Sequence, residues 1–288
     1  MATQINRIVD AHVHWWDVEA NPWYEFIRNV GEMTGTNLYR NYLPADYRRS
    51  IGEAPVSKVV HVSAVVGTQR YVDELRWLDG VVASSGFEVG SVGSVDPALD
   101  SAELRAHLNA QFELGRLRGI RVLDGLDPDG EAARTLADWL MERDLVFDLV
   151  ARPDTLERWT KFVAERPRLR VVLEHSGWPY GTDEASYQAW ERSLTDFARG
   201  ADAAVKVSGL AMVTREISEP SMRRWIECCI DRFGWDRVIF ASNFPVDGLF
   251  GSYQDLLRVF DEVLKPEDAA QLQKFYAANA ERIYRIGG

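Results

Sequence analysis

The segment Arg7-Ile-Val-Asp-Ala-His-Val-His14 sets the pattern of the whole chain. Residues 7–11 form a short apolar run that is typical of a buried β-strand, and two histidines follow at its end. Seven further runs of this kind occur later, and helix-like amphipathic stretches lie between them. The eight predicted strands cover residues 7–11, 58–66, 88–95, 119–123, 146–150, 170–174, 204–207 and 237–241.

The alternation of strands and helices predicts parallel βαβ units. Eight such units in 288 residues fit a closed (β/α)8 TIM barrel, whose usual size is about 250 residues. An open doubly wound sheet is the alternative, but no G-x-G-x-x-G motif follows the first strand. We therefore predict an α/β fold consisting of one TIM-barrel domain over residues 1–288. The helix-like stretches are residues 69–84, 101–114, 130–143, 154–165, 186–198, 220–233 and 254–264.

Composition narrows the class of protein and its partners. The chain is 46% hydrophobic and 27% charged, and its net charge is −11, so nucleic acid and anionic membrane surfaces are poor partners. No stretch approaches the ~18 apolar residues of a membrane span, and the first residues lack the apolar core of a secretory signal. The two cysteines, Cys228 and Cys229, are adjacent and cannot join distant segments. We expect a cytoplasmic protein with a small-molecule substrate. The sequence allows a homodimer but identifies no helix face as its interface.

His12 and His14 are the first candidates for chemistry. Residues two apart on a strand point to the same face, so one short segment can aim both imidazoles at a single point. Zinc binds two such nitrogens at about 2 Å, with a distant histidine, a carboxylate or water completing its shell. The pair therefore predicts a site at the end of the first strand.

Polar residues also follow the other predicted strands, at the barrel end that carries the chemistry in TIM barrels. Each of them taken singly has a structural explanation, such as an ion pair at the rim or a satisfied core histidine. Together they are harder to explain that way, because apolar residues fill a barrel interior and a buried lysine or histidine needs a partner. The residues are Arg121, His175, Lys206, Ser208, Ser242 and Asn243.

The connection after the first strand, residues 15–54, is unusually long and rich in aromatic residues. Loops of this length in compact domains are often lids or binding walls. The alternative, which we favour for most of these aromatics, is a satellite core beneath the loop. Trp16 lies two residues beyond His14 and is the one that we expect to reach a ligand.

Several segments in this order resemble the amidohydrolase superfamily, in its branch of TIM-barrel lactone hydrolases such as sugar lactonases and 2-pyrone-4,6-dicarboxylate lactonase. They span nearly the whole chain, and the first and last are the diagnostic ones. The matching segments are Val9-Asp-Ala-His-Val-His-Trp-Trp-Asp17, Tyr42-Leu-Pro44, Arg118-Gly-Ile-Arg121, Val146-Phe-Asp-Leu-Val-Ala-Arg-Pro153, Val172-Leu-Glu-His-Ser-Gly-Trp-Pro179, Val205-Lys-Val-Ser-Gly-Leu210 and Ile239-Phe-Ala-Ser-Asn-Phe-Pro-Val246.

The resemblance implies a role for each matching position. His12, His14 and His175 would bind a divalent metal, with zinc first and manganese second, or would hold the substrate carbonyl directly without metal. Arg121 and Lys206 would meet a carboxylate or hydroxyls of the substrate. Two further substrate contacts are expected in the matching segments, at Ser208 and Trp178.

One position departs from the family pattern. The family usually ends its eighth strand with an Asp that deprotonates the attacking water, and this chain has Asn243, followed by Phe244 where a Trp is expected. An amide cannot act as a general base at neutral pH. Three interpretations are open: another acid is the base, the substitution was engineered to trap a substrate, or the protein is a natural variant with altered chemistry or weaker metal binding. The adjacent change at Phe244 favours a natural variant. The acids to test as an alternative base are Asp247, Glu74 and Asp17.

These observations leave three functional hypotheses. The leading one is a hydrolase that opens a lactone or similar cyclic ester, with His12, His14, His175 and Asn243 at the reacting centre. The second is a decarboxylase or other lyase acting on an aromatic or unsaturated acid, because loss of the Asp harms hydrolysis most. The third is a binding protein that kept the pocket without turnover. All three rest mainly on family analogy.

Overall fold

A computed structural model of the protein describes residues 5–66, 69–265 and 268–287, and it contains a sheet of eight parallel strands. Each strand pairs with the next one in the chain, in the order β1 to β8. An isolated parallel bridge between Val13 of the first strand and Phe244, four residues after the last strand, brings the two edges of the sheet together. The predicted TIM barrel is confirmed. The strands are β1 Ile8–Val13, β2 Val56–Val62, β3 Glu88–Gly93, β4 Leu117–Arg121, β5 Val146–Leu149, β6 Arg170–Leu173, β7 Ala203–Val207 and β8 Val238–Phe240.

Helices surround the barrel and complete the βα units. Two of them, α1 and α2, divide the long connection after β1, so this segment is more regular than its loop-like sequence suggested. In the described residues the helices are α1 Glu25–Thr34, α2 Pro44–Ile51, α3 Tyr71–Ser85, α4 Ser101–Phe112, α5 Glu131–Arg143, α6 Leu156–Ala164, α7 Glu184–Gly200, α8 Ala211–Thr214, α9 Glu219–Phe233, α10 Tyr253–Leu264, α11 Ala269–Gln273 and α12 Asn279–Tyr284. Among the helices in these ranges, none combines the length and apolar character needed to cross a membrane.

The core has two layers because alternate residues of a strand point to opposite faces. The larger layer packs the outer face of the barrel against the helices, and it includes the aromatic residues Trp15, Tyr24 and Tyr47 of the long connection. This is the satellite core expected for most of those aromatics. The smaller layer fills the barrel with short aliphatic side chains such as Val9, Val60, Val92, Val172 and Ile239.

Helix α12 covers the amino-terminal end of the barrel. Its residues Ala280, Ile283 and Tyr284 belong to the inner layer. The guanidinium of Arg170, the first residue of β6, donates to the backbone oxygen of Ile283 at 2.8 Å. The opposite end, where the strands finish, is therefore the open end that holds the polar residues.

Candidate functional site

His12 and His14 point to one place, as their spacing predicted. Their Nε2 atoms are 3.1 Å apart and both side chains are buried. The Nδ1 of His14 lies 2.8 Å from the backbone oxygen of Val62, and the Nδ1 of His12 lies 3.2 Å from Oε1 of Glu174. Because these oxygens only accept hydrogen bonds, each Nδ1 carries the proton and each Nε2 presents a lone pair. Two nitrogen lone pairs that face each other at this distance repel, so the arrangement is stable when a cation or a shared proton lies between them.

His175 supplies a third imidazole beside this pair. Its ring centroid is 4.6 Å from that of His12, and its Nδ1 is 3.0 Å from Oγ of Ser208. The ring also packs against Gly209, where an added Cβ would come within 2.7 Å of it. Trp178 also contacts this ring, in an edge-to-face arrangement with a centroid distance of 4.9 Å. The glycine after Ser208 is therefore required for the position of this histidine.

All three imidazoles are neutral at physiological pH. Burial lowers the pKa of His175 to about 4, and burial also lowers the pKa of His12 and of His14 well below the usual value. Neutral imidazole is the form that binds metal ions, whereas a base matched to pH 7 would need a pKa near that value. The site is therefore better suited to ligation than to general-base work by a histidine.

Beneath the histidines lies a buried charge network. The ammonium of Lys206 donates to Oδ2 of Asp148 at 2.6 Å and lies 3.5 Å from Oε1 of Glu174 and 3.4 Å from Nδ1 of His12. The hydroxyl of Tyr284 donates to the other oxygen of Asp148 at 2.5 Å. All of these side chains are buried. Lys206 thus contacts protein carboxylates under the site, and these supply the negative charge that a buried lysine requires.

Glu174 is a central residue that the sequence analysis did not single out. Its Oε2 lies 3.6 Å from the guanidinium of Arg121 and 3.8 Å from Nε2 of His175. Burial opposes its ionisation, but its contacts with His12, Arg121 and Lys206 hold the pKa of this carboxyl well below its usual range. The signal available in the sequence was a charged residue directly before His175 at the end of an apolar run.

Asn243 lies at the open end beside the histidines and is held by an acid. Its backbone has φ 57°, a left-handed conformation that Asn tolerates better than most residues. Its Nδ2 donates to Oδ1 of Asp247 at 2.8 Å. While Asp247 is ionised its carboxylate can only accept, so in that state the amide orientation is fixed and Oδ1 of Asn243 is left as an acceptor. Burial raises the pKa of Asp247 to about 7.

A cavity with a volume of about 170 Å³ lies at the carboxyl end of the strands. Of the residues predicted from sequence, it is lined by His14, Trp16, Arg121, His175, Trp178 and Asn243. The other described lining residues are Phe26, Ile27, Val30, Leu38, Ala64, Leu123, Met212 and Val246.

None of the three acids considered as replacement bases is among these lining residues. Asp247 lies behind Asn243. Glu74 accepts from the backbone N–H of Ala64 at 3.0 Å, and burial raises the pKa of Glu74 to about 7. Asp17 accepts from the backbone N–H of Ala20 at 2.9 Å. His12, Lys206 and Ser208 also lie outside the described lining.

The donor atoms of the histidines and Glu174 fit a divalent metal ion. The 3.1 Å between the Nε2 atoms of His12 and His14 is close to the ~3.3 Å between two nitrogens bound tetrahedrally to zinc. His12, Glu174 and His175 also offer ligand atoms that all lie within 4.8 Å of one another. This second group contains Glu174 in addition to His12 and His175. The sequence analysis had instead grouped His14 with those two histidines.

Comparison with known proteins finds a relative over nearly the whole chain and solved structures of the same fold. A relative named L-fucono-1,5-lactonase, from Burkholderia ambifaria, is 28% identical over 293 residues, which cover 96% of this chain and 95% of that protein. An amidohydrolase from Burkholderia multivorans with bound zinc has a TM-score of 0.81 at 24% identity, covering 97% of this chain and 99% of that one. A manganese-bound 5-carboxyvanillate decarboxylase from Novosphingobium aromaticivorans has a TM-score of 0.70 at 16% identity, covering 98% and 96%.

The two solved structures show that the fold is shared with metal-binding enzymes. The amidohydrolase family model matches residues 9–286, nearly the whole chain. That range begins within β1 and ends after α12, so it includes every strand of the barrel. This chain is therefore a member of the amidohydrolase family and an enzyme of its superfamily.

Proposed function

We propose that this enzyme is a hydrolase that opens a lactone or similar cyclic ester by attack of water on the carbonyl. The observation that carries the proposal is the pair of Nε2 atoms of His12 and His14, 3.1 Å apart, because His14 lines a cavity that also contains Arg121. The lactonase name of a relative over nearly its full length supports it. The proposal includes a cytoplasmic location, supported by the free, buried cysteines Cys228 and Cys229.

His12, His14 and His175 would hold a divalent metal, with Glu174 as a further donor, and zinc is the first choice with manganese second. When bound, such an ion polarises a carbonyl and lowers the pKa of water. The fit rests on neutral imidazoles and on the spacing of their donor atoms. The metal-free alternative uses the same histidines to hold the carbonyl oxygen.

The protein's own residues orient the reactants. Arg121 brings a fixed positive charge to the cavity, where it would stabilise the negative charge that develops on the carbonyl oxygen. Asn243, fixed by Asp247, would accept a hydrogen bond from water through Oδ1. In the metal-free alternative His175 would take the proton at Nε2, since its Nδ1 is engaged by Ser208, whereas with a metal bound that Nε2 would be a ligand. Lys206 would keep Glu174 and His12 in place.

A decarboxylase acting on an aromatic or unsaturated acid is the second candidate. It is favoured by one observation: among the described residues that line the cavity, none is a carboxylic acid. Such a reaction needs no base to deprotonate water. It would release carbon dioxide and leave no solvent oxygen in the product.

The experiment that tests the proposal compares His14→Ala with His107→Ala, a change on helix α4 away from the site. We expect wild type to open five- or six-membered lactones with incorporation of ¹⁸O from labelled water. His14→Ala should reduce kcat/KM by about 100-fold or more, the size expected for removal of a main polarising group, and should lower the metal content measured by plasma mass spectrometry. Unchanged hydrolysis in His14→Ala would refute the proposal, and carbon dioxide release from aromatic acids without lactone opening would support the second candidate.

A further inference from the structure

We propose that the substrate of this site has an apolar body, such as an alkyl- or aryl-substituted lactone, and is not a polyhydroxylated sugar lactone. This inference rests on the proposed function, because it names the substrate class for the same cavity. It also departs from the sugar-lactonase name carried by a relative.

The walls of the cavity are made almost entirely of carbon. They come from six separate parts of the chain, which follow strands β1, β2, β4, β6, β7 and β8. The apolar lining residues are Trp16, Phe26, Ile27, Val30, Leu38, Ala64, Leu123, Trp178, Met212 and Val246.

The polar groups are gathered among the residues that carry the chemistry. Of the described lining residues, only His14, Arg121, His175 and Asn243 have strongly polar side chains. Trp16 does not add to them, because its indole N–H donates to the backbone oxygen of Arg40 at 2.7 Å. It therefore presents ring carbon to the cavity, and its ring lies nearly parallel to that of His14 at a centroid distance of 6.0 Å. A ligand that fits this arrangement has one polar end and an apolar remainder.

A sugar lactone has the wrong distribution of polar atoms for these walls. Its ring carries hydroxyls on several carbons, and each would exchange water for a hydrocarbon surface without a new partner. An alkyl or aryl group makes the opposite exchange and gains from burial. The cavity volume of about 170 Å³ is similar to that of an engineered apolar cavity of about 150 Å³ that binds benzene. A six-membered ring with a small substituent therefore fits.

Helix α1 provides much of the apolar wall. Phe26, Ile27 and Val30 lie on successive turns of this helix and line the cavity. Met33 belongs to the same helix but is 80% exposed. The helix thus has a face directed to the cavity and a face directed to solvent, which gives a matched pair of positions for a test.

The first measurement compares three six-membered lactones: δ-octalactone, unsubstituted δ-valerolactone and D-glucono-1,5-lactone. Each kcat/KM is divided by the rate constant of hydroxide-catalysed opening, which corrects for intrinsic reactivity. We expect δ-octalactone to exceed D-glucono-1,5-lactone by about 100-fold, since apolar pockets discriminate by roughly 10- to 200-fold for small changes. Phe26→Ala should lower the ratio of δ-octalactone to δ-valerolactone by about 10-fold, whereas Met33→Ala should leave that ratio unchanged.

A binding measurement separates this inference from the proposed reaction. Lactams of the same ring size resist hydrolysis, so calorimetry with a propyl-substituted δ-lactam and with D-glucono-δ-lactam reports the pocket alone. Preference for the propyl lactam without turnover of any lactone would support the apolar pocket and overturn the proposed function. Preference for the sugar lactam or faster turnover of D-glucono-1,5-lactone would overturn the inference, even if lactone hydrolysis were established. Failure of both lactams to bind, with no lactone turnover, would overturn both.

Discussion

Asn243→Asp places a second carboxyl group against Asp247 at a buried position. Nδ2 of Asn243 is 2.8 Å from Oδ1 of Asp247, and two ionised carboxylate oxygens at that distance repel by about 6 kcal/mol at an effective dielectric constant of about 20. That energy corresponds to about four pKa units. Burial already raises the pKa of Asp247 to about 7. The pair will therefore hold one shared proton at neutral pH, as paired carboxyl groups do elsewhere.

The shared proton makes the stability of this variant depend on pH. The folded state keeps a proton that the unfolded chain has already released. The protonated pair therefore stabilises the folded state fully at low pH, and this stabilisation is lost as pH rises. We expect the free energy of unfolding of Asn243→Asp, relative to wild type, to fall by about 3 kcal/mol between pH 6 and pH 9. Urea denaturation at a series of pH values measures this difference.

The double variant Asn243→Asp/Asp247→Asn is the control. It exchanges the two side chains, so an amide again donates to one carboxylate, and the pH-dependent loss should disappear. It should also retain more metal than the single variant, because its carboxylate at position 243 is ionised at pH 7. A single variant whose stability follows that of wild type from pH 6 to pH 9 would refute the reasoning.

Three other predictions test the network and the position of the third histidine. Lys206→Met should destabilise the fold by about 3–5 kcal/mol in urea, because two buried carboxylates lose their cation, whereas exposed Lys161→Met should have little effect. Gly209→Ala should lower kcat/KM by moving His175. The control is Gly35→Ala, because Gly35 has a similar φ of 64° but nothing within 4 Å of the added Cβ. This control should cost only about 1–2 kcal/mol of stability through backbone strain. Burial lowers the pKa of His175 to about 4, so this histidine stays in its neutral, proton-accepting form in mild acid. We therefore expect kcat/KM to fall only as pH drops toward that value. A fall of kcat/KM with a midpoint near pH 7 would show that another group takes the proton.

The barrel could be predicted because its signal is local and repeated. Each strand is a short apolar run, and polar residues at the strand ends, such as Arg121, are brought together by the topology alone. The meeting of His12 and His14 follows from strand geometry in the same way. For these features the sequence contains the necessary information within a few residues.

Other parts of the site depend on contacts between distant segments. Lys206 was expected to meet the substrate, but its partner Asp148 lies 58 residues away, and a pairing at that range has no local signal. The acids Glu74 and Asp17 are plausible bases by residue type, yet their hydrogen bonds direct them to backbone N–H groups. The apolar wall likewise depends on how α1 packs over the barrel end, which its residue pattern does not determine.

The hydrogen bond between Tyr284 and Asp148 also has a consequence for the order of synthesis. The two residues are 136 positions apart in the chain, which at about 10 residues per second corresponds to roughly 14 s of translation. During that interval the carboxyl group of Asp148 has no phenol to accept from, and the inner layer lacks the side chains that α12 contributes. A nascent chain that extends through Val246 therefore has all the described residues that line the cavity but not the helix that closes the far end of the barrel. Completion of the charge network under the histidines is a late event of biosynthesis, and it coincides with the arrival of α12.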